Sequence, residues 1–192
     1  MITQTEAKIY THQDYLDREL ASEIRNEYRN GEIVSITGRT PEHNRISGNL
    51  YIALSLFSKG KPYETFHLDQ RLWIPKANIY TYPGVMVASK PLQRQTGRKD
   101  TILNPCLIAE VLSSSTQTYD RIEKFAAYRT IDAFQEYLLV AQNRIYVQHY
   151  IKTAANQWMF SEYADPKTIL SLNAFEFQIE IAEFYEGIEW DG

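Results

Sequence analysis

The amino-acid sequence predicts an α/β fold, a single domain over residues 1–192 built on a mixed β-sheet flanked by helices. Two segments carry apolar residues at helical spacing. They are interspersed with short runs of strand character. No internal repeat, low-complexity tract or long linker divides the 192 residues, a length that supports one sizeable core.

The elements follow in order. Residues 14–29, DYLDRELASEIRNEYR, place Leu16, Leu20, Ile24 and Tyr28 on one helical stripe, with Asp14 as N-cap. Asn30-Gly31 is a turn signal, and residues 32–38 alternate as a strand. Thr40 and Pro41 open a second helix as N-cap and first helical residue; Ile46, Leu50, Ala53, Leu54 and Phe57 form its buried face, and Gly60 ends it. Strands are expected at 63–67, 69–74, 84–88 and 106–112. A polar loop rich in Lys and Arg separates the last two. A further helix starts near Asp120, strands follow at 135–141, 144–151 and 157–163, and a short helix at 181–186 closes the pattern.

The composition is that of an ordinary folded protein, 44% hydrophobic and 13% aromatic. A net charge of -4 argues against a constitutive nucleic-acid coat, though not against local contact through a basic patch. Cys106 is the single cysteine, so there is no intramolecular disulfide and no cysteine-based zinc site; it reads as a small core residue. The chain opens without a signal-peptide pattern and holds no apolar run of membrane-spanning length, so the expectation is a soluble, cytoplasmic protein that meets no membrane.

The residue that calls for an explanation is Glu110, a carboxylate inside the apolar run 105–112. Burying it costs several kcal/mol unless it is paired. Strand alternation puts it on the face of Ile108 and Leu112, with Ala109 and Val111 opposite. It is either half of a structural ion pair or a base or metal ligand at a sheet rim. Lys124, on the helix from 120, would project back towards it, unless it is a solvated lysine paired with Asp120. Asp120 itself reads as an N-cap completing a capping box with Glu123. Asp69, in or beside a strand, and Glu27, at the unfavourable end of a helix, face either a common site or a surface ion pair. His43 and Asn44, in the first turn of the second helix, read as polar surface or capping contacts. Lys90, Arg94, Arg98 and Lys99, with Arg39 and Arg45, would grip phosphates or form a solvated loop. Residues 113–116, SSST, are a hydroxyl-rich loop without a base. Phosphate-binding and nucleophile-elbow motifs are missing.

In order, EYRNGEI, HNRISGNLYIAL, LDQRLWIP, NIYTYPGVMV, NPCLIAEVLSSSTQTYDRIEKFAAYR and FQEYLLV resemble one family, the Uma-two endonucleases of the PD-(D/E)xK restriction-endonuclease-like superfamily, across roughly residues 14–187. The resemblance implies a restriction-endonuclease-like mixed sheet flanked by helices and a metal-dependent phosphodiesterase site. Glu110 matches its second acid and Lys124 its lysine. Glu27 and Asp69 match further acids. The Asp that follows Pro in the family pattern is here Gly84, a degenerate catalytic position. The chemistry implied uses Mg²⁺ or Mn²⁺ held by hard oxygens, with Glu110, Asp69 and the Val111 carbonyl as ligands. The metal activates a water that the lysine orients.

Two readings stand. One is a metal-dependent DNA endonuclease impaired by Gly84. The other is a catalytically inactive nuclease-fold module that binds nucleic acid or a protein partner. A small-molecule enzyme on the same scaffold has no motif behind it. Pairing into a homodimer is expected by analogy only.

Overall fold

The computed structural model describes residues 8–36, 38–113 and 116–190. Thr37 of the expected 32–38 strand, Ser114 and Ser115 of the hydroxyl-rich loop, and the first seven residues of the chain lie outside the described residues.

The first helix is shorter than its stripe predicts. Helix α1 is His12–Ala21, capped by Thr11, with Asp14 closing a capping box at the third helical position. The side-chain amide of Asn26 donates to Glu19, Ser22 and the carbonyl of Ile24, a knot that turns the chain out of the helix. Strand β1 (Asn26–Arg29) follows, and Leu20 and Ile24 are exposed. The apparent stripe from Leu16 to Tyr28 therefore joins a helix to a strand. Asn30 and Gly31, both at positive φ (50° and 102°), form the two-residue turn into β2 (Glu32–Ser35).

Helix α2 (Pro41–Ser58) has Thr40 as N-cap and buries Ile46, Leu50 and Leu54. The remaining strands are β3 (Tyr63–His67), β4 (Arg71–Ile74), β5 (Ile79–Thr81), β6 (Val85–Ser89), β7 (Thr101–Ile102), β8 (Pro105–Leu112), β9 (Glu136–Ala141), β10 (Val147–Ala154), β11 (Gln157–Tyr163), β12 (Ile169–Leu172) and β13 (Phe177–Glu180). Between β8 and β9 runs one continuous helical stretch, 117–128. It comprises α3 (Gln117–Tyr119), a π-type segment (Asp120–Lys124) and α4 (Phe125–Tyr128). Helix α5 is Ile181–Phe184.

The strands divide into three sheets where the sequence suggested one. The largest has the order β11-β10-β9-β8-β6-β3, with β8 and β9 parallel and the other neighbours antiparallel. The second has the order β2-β1-β5-β4-β7, and β12-β13 is a separate hairpin. The short strands β5, β7, β12 and β13 carry too few residues to show a period. Strand β8 is buried along its whole length, and its two faces feed different cores. Leu107, Ala109 and Val111 pack with Ile46, Leu50 and Leu54 of α2. Ile108 and Leu112 pack with Ala127 and Tyr128 of the 117–128 helix and with Leu72 and Ile79 of the second sheet. Glu110 therefore opens onto the face covered by that helix, as alternation predicts. Cys106 is buried and donates to the carbonyl of Val87, a core residue as expected.

Candidate functional site

Glu110 is 6% exposed, and both its oxygens are engaged. Oε1 accepts from Lys124 Nζ at 3.1 Å and from the Tyr128 hydroxyl at 2.8 Å. Oε2 accepts from the backbone N–H of Gly84 at 3.0 Å. Lys124 and Tyr128 lie four residues apart on the helix that crosses the β8 face, so one strand and one helix build the pair.

Lys124 is shared. Its ammonium lies 3.1 Å from Asp120 Oδ1 and 3.5 Å from Glu27 Oε1. Glu27 reaches it from β1 in the second sheet, where it also pairs with Arg29 and accepts from the Thr81 hydroxyl. The site thus sits where the two sheets approach each other, with three carboxylates around one buried ammonium. Burial pushes the Glu27 carboxyl up, but Lys124, Arg29 and Thr81 outweigh it and hold the group below its usual range. Burial likewise raises Glu110. Lys124 opposes that and the neighbouring Asp120 adds to it, so the net shift is upward. For Lys124, burial favours the neutral amine, yet Glu110, Glu27 and Asp120 together raise its pKa well above normal and keep it charged.

A cavity of about 430 Å³ opens over this cluster, walled by Arg29, Arg39, His43, Tyr119 and Gln142 among others. His43 is 8% exposed, at the N-terminus of α2, not the surface contact its sequence position suggests. Burial first, then the Arg39 charge, lower its pKa to about 4 against the opposing pull of the Val111 backbone, so the ring is neutral near pH 7.

Of the residues singled out in the sequence, Glu110, Lys124, Glu27 and Val111 meet at this cavity. Glu27 arrives on a strand, not at a helix end. Asp120, read as an N-cap, lies inside the helical stretch: the π-type segment turns it inward beside Lys124. Asp69 does not join them. It sits in the bend after β3, largely exposed, and pairs with Arg25 at 3.3 Å. The basic loop is also elsewhere. Lys90, Arg94, Arg98 and Lys99 lie between β6 and β8, and Ala88 pairs with Pro105, so the loop leaves the end of the sheet opposite to Glu110. Arg98 is bound to Asp100, and Lys90 lies 4.0 Å from Glu64.

Gly84 stands at the position that the resemblance assigns to an acid. A Cβ built there would lie 3.4 Å from Glu110 Oε2 and 3.0 Å from the Ala109 carbonyl oxygen, so a side chain at 84 would face Glu110. Hard carboxylate oxygens suit Mg²⁺ or Mn²⁺. Here, however, they converge on an ammonium, and Gly84 places no carboxylate where the bridging acid is expected. Among the described residues no group of three or more His, Cys, Asp or Glu side chains is arranged to hold a metal ion. The residues present do not fit a preformed divalent site.

Comparison with known proteins follows the same outline. Residues 12–182 match the Uma2 family model, described as "Putative restriction endonuclease". The chain is 40% identical over 162 residues to the uncharacterized protein sll1609 of Synechocystis sp., covering 84% of this chain and 92% of that one. It is 30% identical over 177 residues to the uncharacterized protein slr1290 of the same organism, covering 92% and 91%. In fold it is similar to a crystal structure titled as a "putative nuclease belonging to DUF820" from Anabaena variabilis, with a TM-score of 0.71 at 17% identity, covering 89% of this chain and 97% of that one. Among the described residues no helix is long and apolar enough to cross a membrane.

Proposed function

The chain belongs to the Uma2 family, and from that premise we propose that the Glu110–Lys124 cavity is a phosphodiester site of restriction-endonuclease type that engages DNA and whose hydrolytic step is impaired at Gly84. The observation that carries this reading is the Glu110–Lys124 contact at 3.1 Å, faced by a glycine whose Cβ would lie 3.4 Å from Glu110 Oε2. The fold holds the acid and the lysine in contact, but the side chain that would complete a divalent site is missing.

The chain's own residues support phosphate binding more than cleavage. Lys124 stays charged among three acids, and Arg29 and Arg39 line the cavity above it. Guanidinium groups suit phosphate oxygens in bidentate geometry. Neutral His43 beside Val111 adds no charge. Glu27 and Asp120 are tied up with Glu110 on Lys124 and position 84 adds no carboxylate, so Mg²⁺, which dehydrates reluctantly, is held weakly. The alternative, an inactive module that binds nucleic acid or a protein partner, draws on the same absent side chain at position 84 and allows no cleavage to survive.

The test is calorimetric titration of Mn²⁺ and Mg²⁺ followed by cleavage of plasmid and single-stranded DNA, for the wild type, Gly84→Asp and Glu110→Ala. Weak binding and slow cleavage in the wild type, a gain in Gly84→Asp and none in Glu110→Ala support the site. Equal behaviour of all three proteins refutes it.

A further inference from the structure

The reactive-type groups are recessed. Glu27, Glu110, Asp120 and Lys124 are each 8% exposed or less, and the cavity above them holds about 430 Å³, within the size range of small-ligand sites. In duplex DNA the bases stack inside a stiff rod whose phosphates ride on its outer surface. Such a rod does not enter a walled cavity. A strand whose nucleotides are splayed out can, and recognition of unpaired nucleic acid works by that route.

The cavity also carries spare hydrogen-bonding groups. Six buried side-chain polar atoms among the described residues have no hydrogen-bond partner, and four of them belong to residues that line this one cavity: His43 Nδ1, the Tyr119 hydroxyl, Asp120 Oδ1 and Gln142 Oε1. Asp120 Oδ1 is ion-paired to Lys124 but lies outside hydrogen-bond geometry. Buried polar atoms are as a rule satisfied, so four on the residues that line one cavity mark a place where a polar ligand or water completes them. The set mixes a hydroxyl donor with carboxylate and amide acceptors, which is what the edge of a nucleobase requires. Arg29, ion-paired to Glu27, lies 3.6 Å over the centre of the Tyr119 ring and sets a cation against its face.

Resting on the phosphodiester reading above, we infer that the cavity admits one unstacked nucleotide, so that the protein takes single-stranded DNA in preference to intact duplex. Tyr119 and Gln142 meet the base, and Arg29 and Arg39 meet the phosphate.

The experiment is fluorescence anisotropy of the full chain in EDTA, with a labelled mixed-sequence single strand and the same sequence as a blunt duplex. Single strand should bind tighter by about tenfold or more, the order that contacts to unstacked bases supply. Tyr119→Phe and Gln142→Leu, checked for unchanged melting, should bring the two affinities closer together. Duplex bound as tightly as single strand, or a ratio untouched by both variants, overturns the inference. If Gly84→Asp cleaves duplex and single strand equally, only this inference fails. If no DNA is bound and no variant cleaves, the phosphodiester reading falls with it.

Discussion

The backbone N–H of Gly84 donates to Oε2 of Glu110 at 3.0 Å, across the antiparallel pair of β6 and β8. Any residue except proline would supply that N–H; what glycine withholds is a side chain, whose Cβ would lie 3.4 Å from Oε2. Lys124 and Tyr128 satisfy the other oxygen, and position 84 is the most informative place to intervene on the carboxylate.

Gly84→Asp is expected to raise Mn²⁺ affinity in calorimetry by about tenfold or more, since even outer-shell partners of a metal shift affinity by that order. Gly84 is not at positive φ, so the backbone accepts a side chain. Its Cβ would come within 3.0 Å of the Ala109 carbonyl oxygen, and strands must shift by a few tenths of an ångström, at a cost of about 1–3 kcal/mol in denaturant melts. Gly84→Ala separates the effects: the same loss of stability without the gain in metal binding. A gain in both variants would show that the carboxylate is irrelevant.

Lys124→Met should destabilise the fold by about 3–5 kcal/mol, because it strands three buried carboxylates without their cation. The sign of the pH dependence follows from Glu27. Its folded pKa is depressed, so its share of stability is present above the ordinary value of 4.5 and is lost as pH falls through the folded value. That share depends on Lys124. The gap between wild type and Lys124→Met is therefore widest near neutrality and narrows as pH falls towards and below 4.5, as protonation relieves the stranded acids. Urea melts at pH 7 and pH 4 read it directly, and a gap that widens in acid would contradict the charge balance described.

The part of the site that was legible in the sequence is the part that short-range rules control. A charged residue inside an apolar run marks Glu110, and period-two alternation correctly assigns its face. The helix after the strand brings Lys124 back over it. Glu27 was legible as an acid out of place but not as a strand residue, because Tyr28 falls by coincidence on the stripe begun by Leu16. The N-cap reading of Asp120 fails because the helical stretch already begins at Gln117 and Asp120 opens its π-type segment, buried beside Lys124; a five-residue change of winding leaves no period. Asp69 takes the surface ion pair that was one of its two readings, whereas His43 is buried where a surface contact is expected, since only tertiary packing decides which end of a helix is covered. The basic loop has the composition of a phosphate grip, but which end of β8 it leaves is a property of the sheet order.

Arg39, not Arg98 or Lys99, is expected to carry the salt dependence of DNA binding. Arg39 lines the cavity, whereas Arg98 is held by Asp100 at the far end of the sheet. Arg39→Ala should lower the slope of log affinity against log salt by about 0.7–0.9, the contribution of one phosphate contact. The double change Arg98→Ala with Lys99→Ala should leave the slope as it is. Anisotropy titrations between low and moderate salt distinguish the two, and the reverse pattern would move the DNA surface to the loop.

A second buried carboxylate separates stability from the proposed chemistry. Glu136, at the start of β9, is fully buried; it bonds the His149 ring and accepts the backbone N–H groups of Asn173 at 3.0 Å and Ala174 at 2.8 Å. Those two residues open the four-residue turn 173–176 between β12 and β13, so one side chain pins a separate hairpin to the main sheet. Glu136→Ala leaves two backbone donors and an imidazole without an acceptor, each worth about 1–3 kcal/mol when buried and unsatisfied. The expected loss is about 3 kcal/mol or more in urea, with hydrogen exchange rising first in β12 and β13. Glu136 lies outside the cavity at Glu110, so Glu136→Ala introduced beside Gly84→Asp should keep the Mn²⁺ affinity of the single variant in whatever fraction remains folded. A double variant that melts early and binds Mn²⁺ as the single variant does would establish the two carboxylates as independent, one serving the fold and the other the site. Loss of binding in the folded fraction would mean that the hairpin supports the cavity through the sheet.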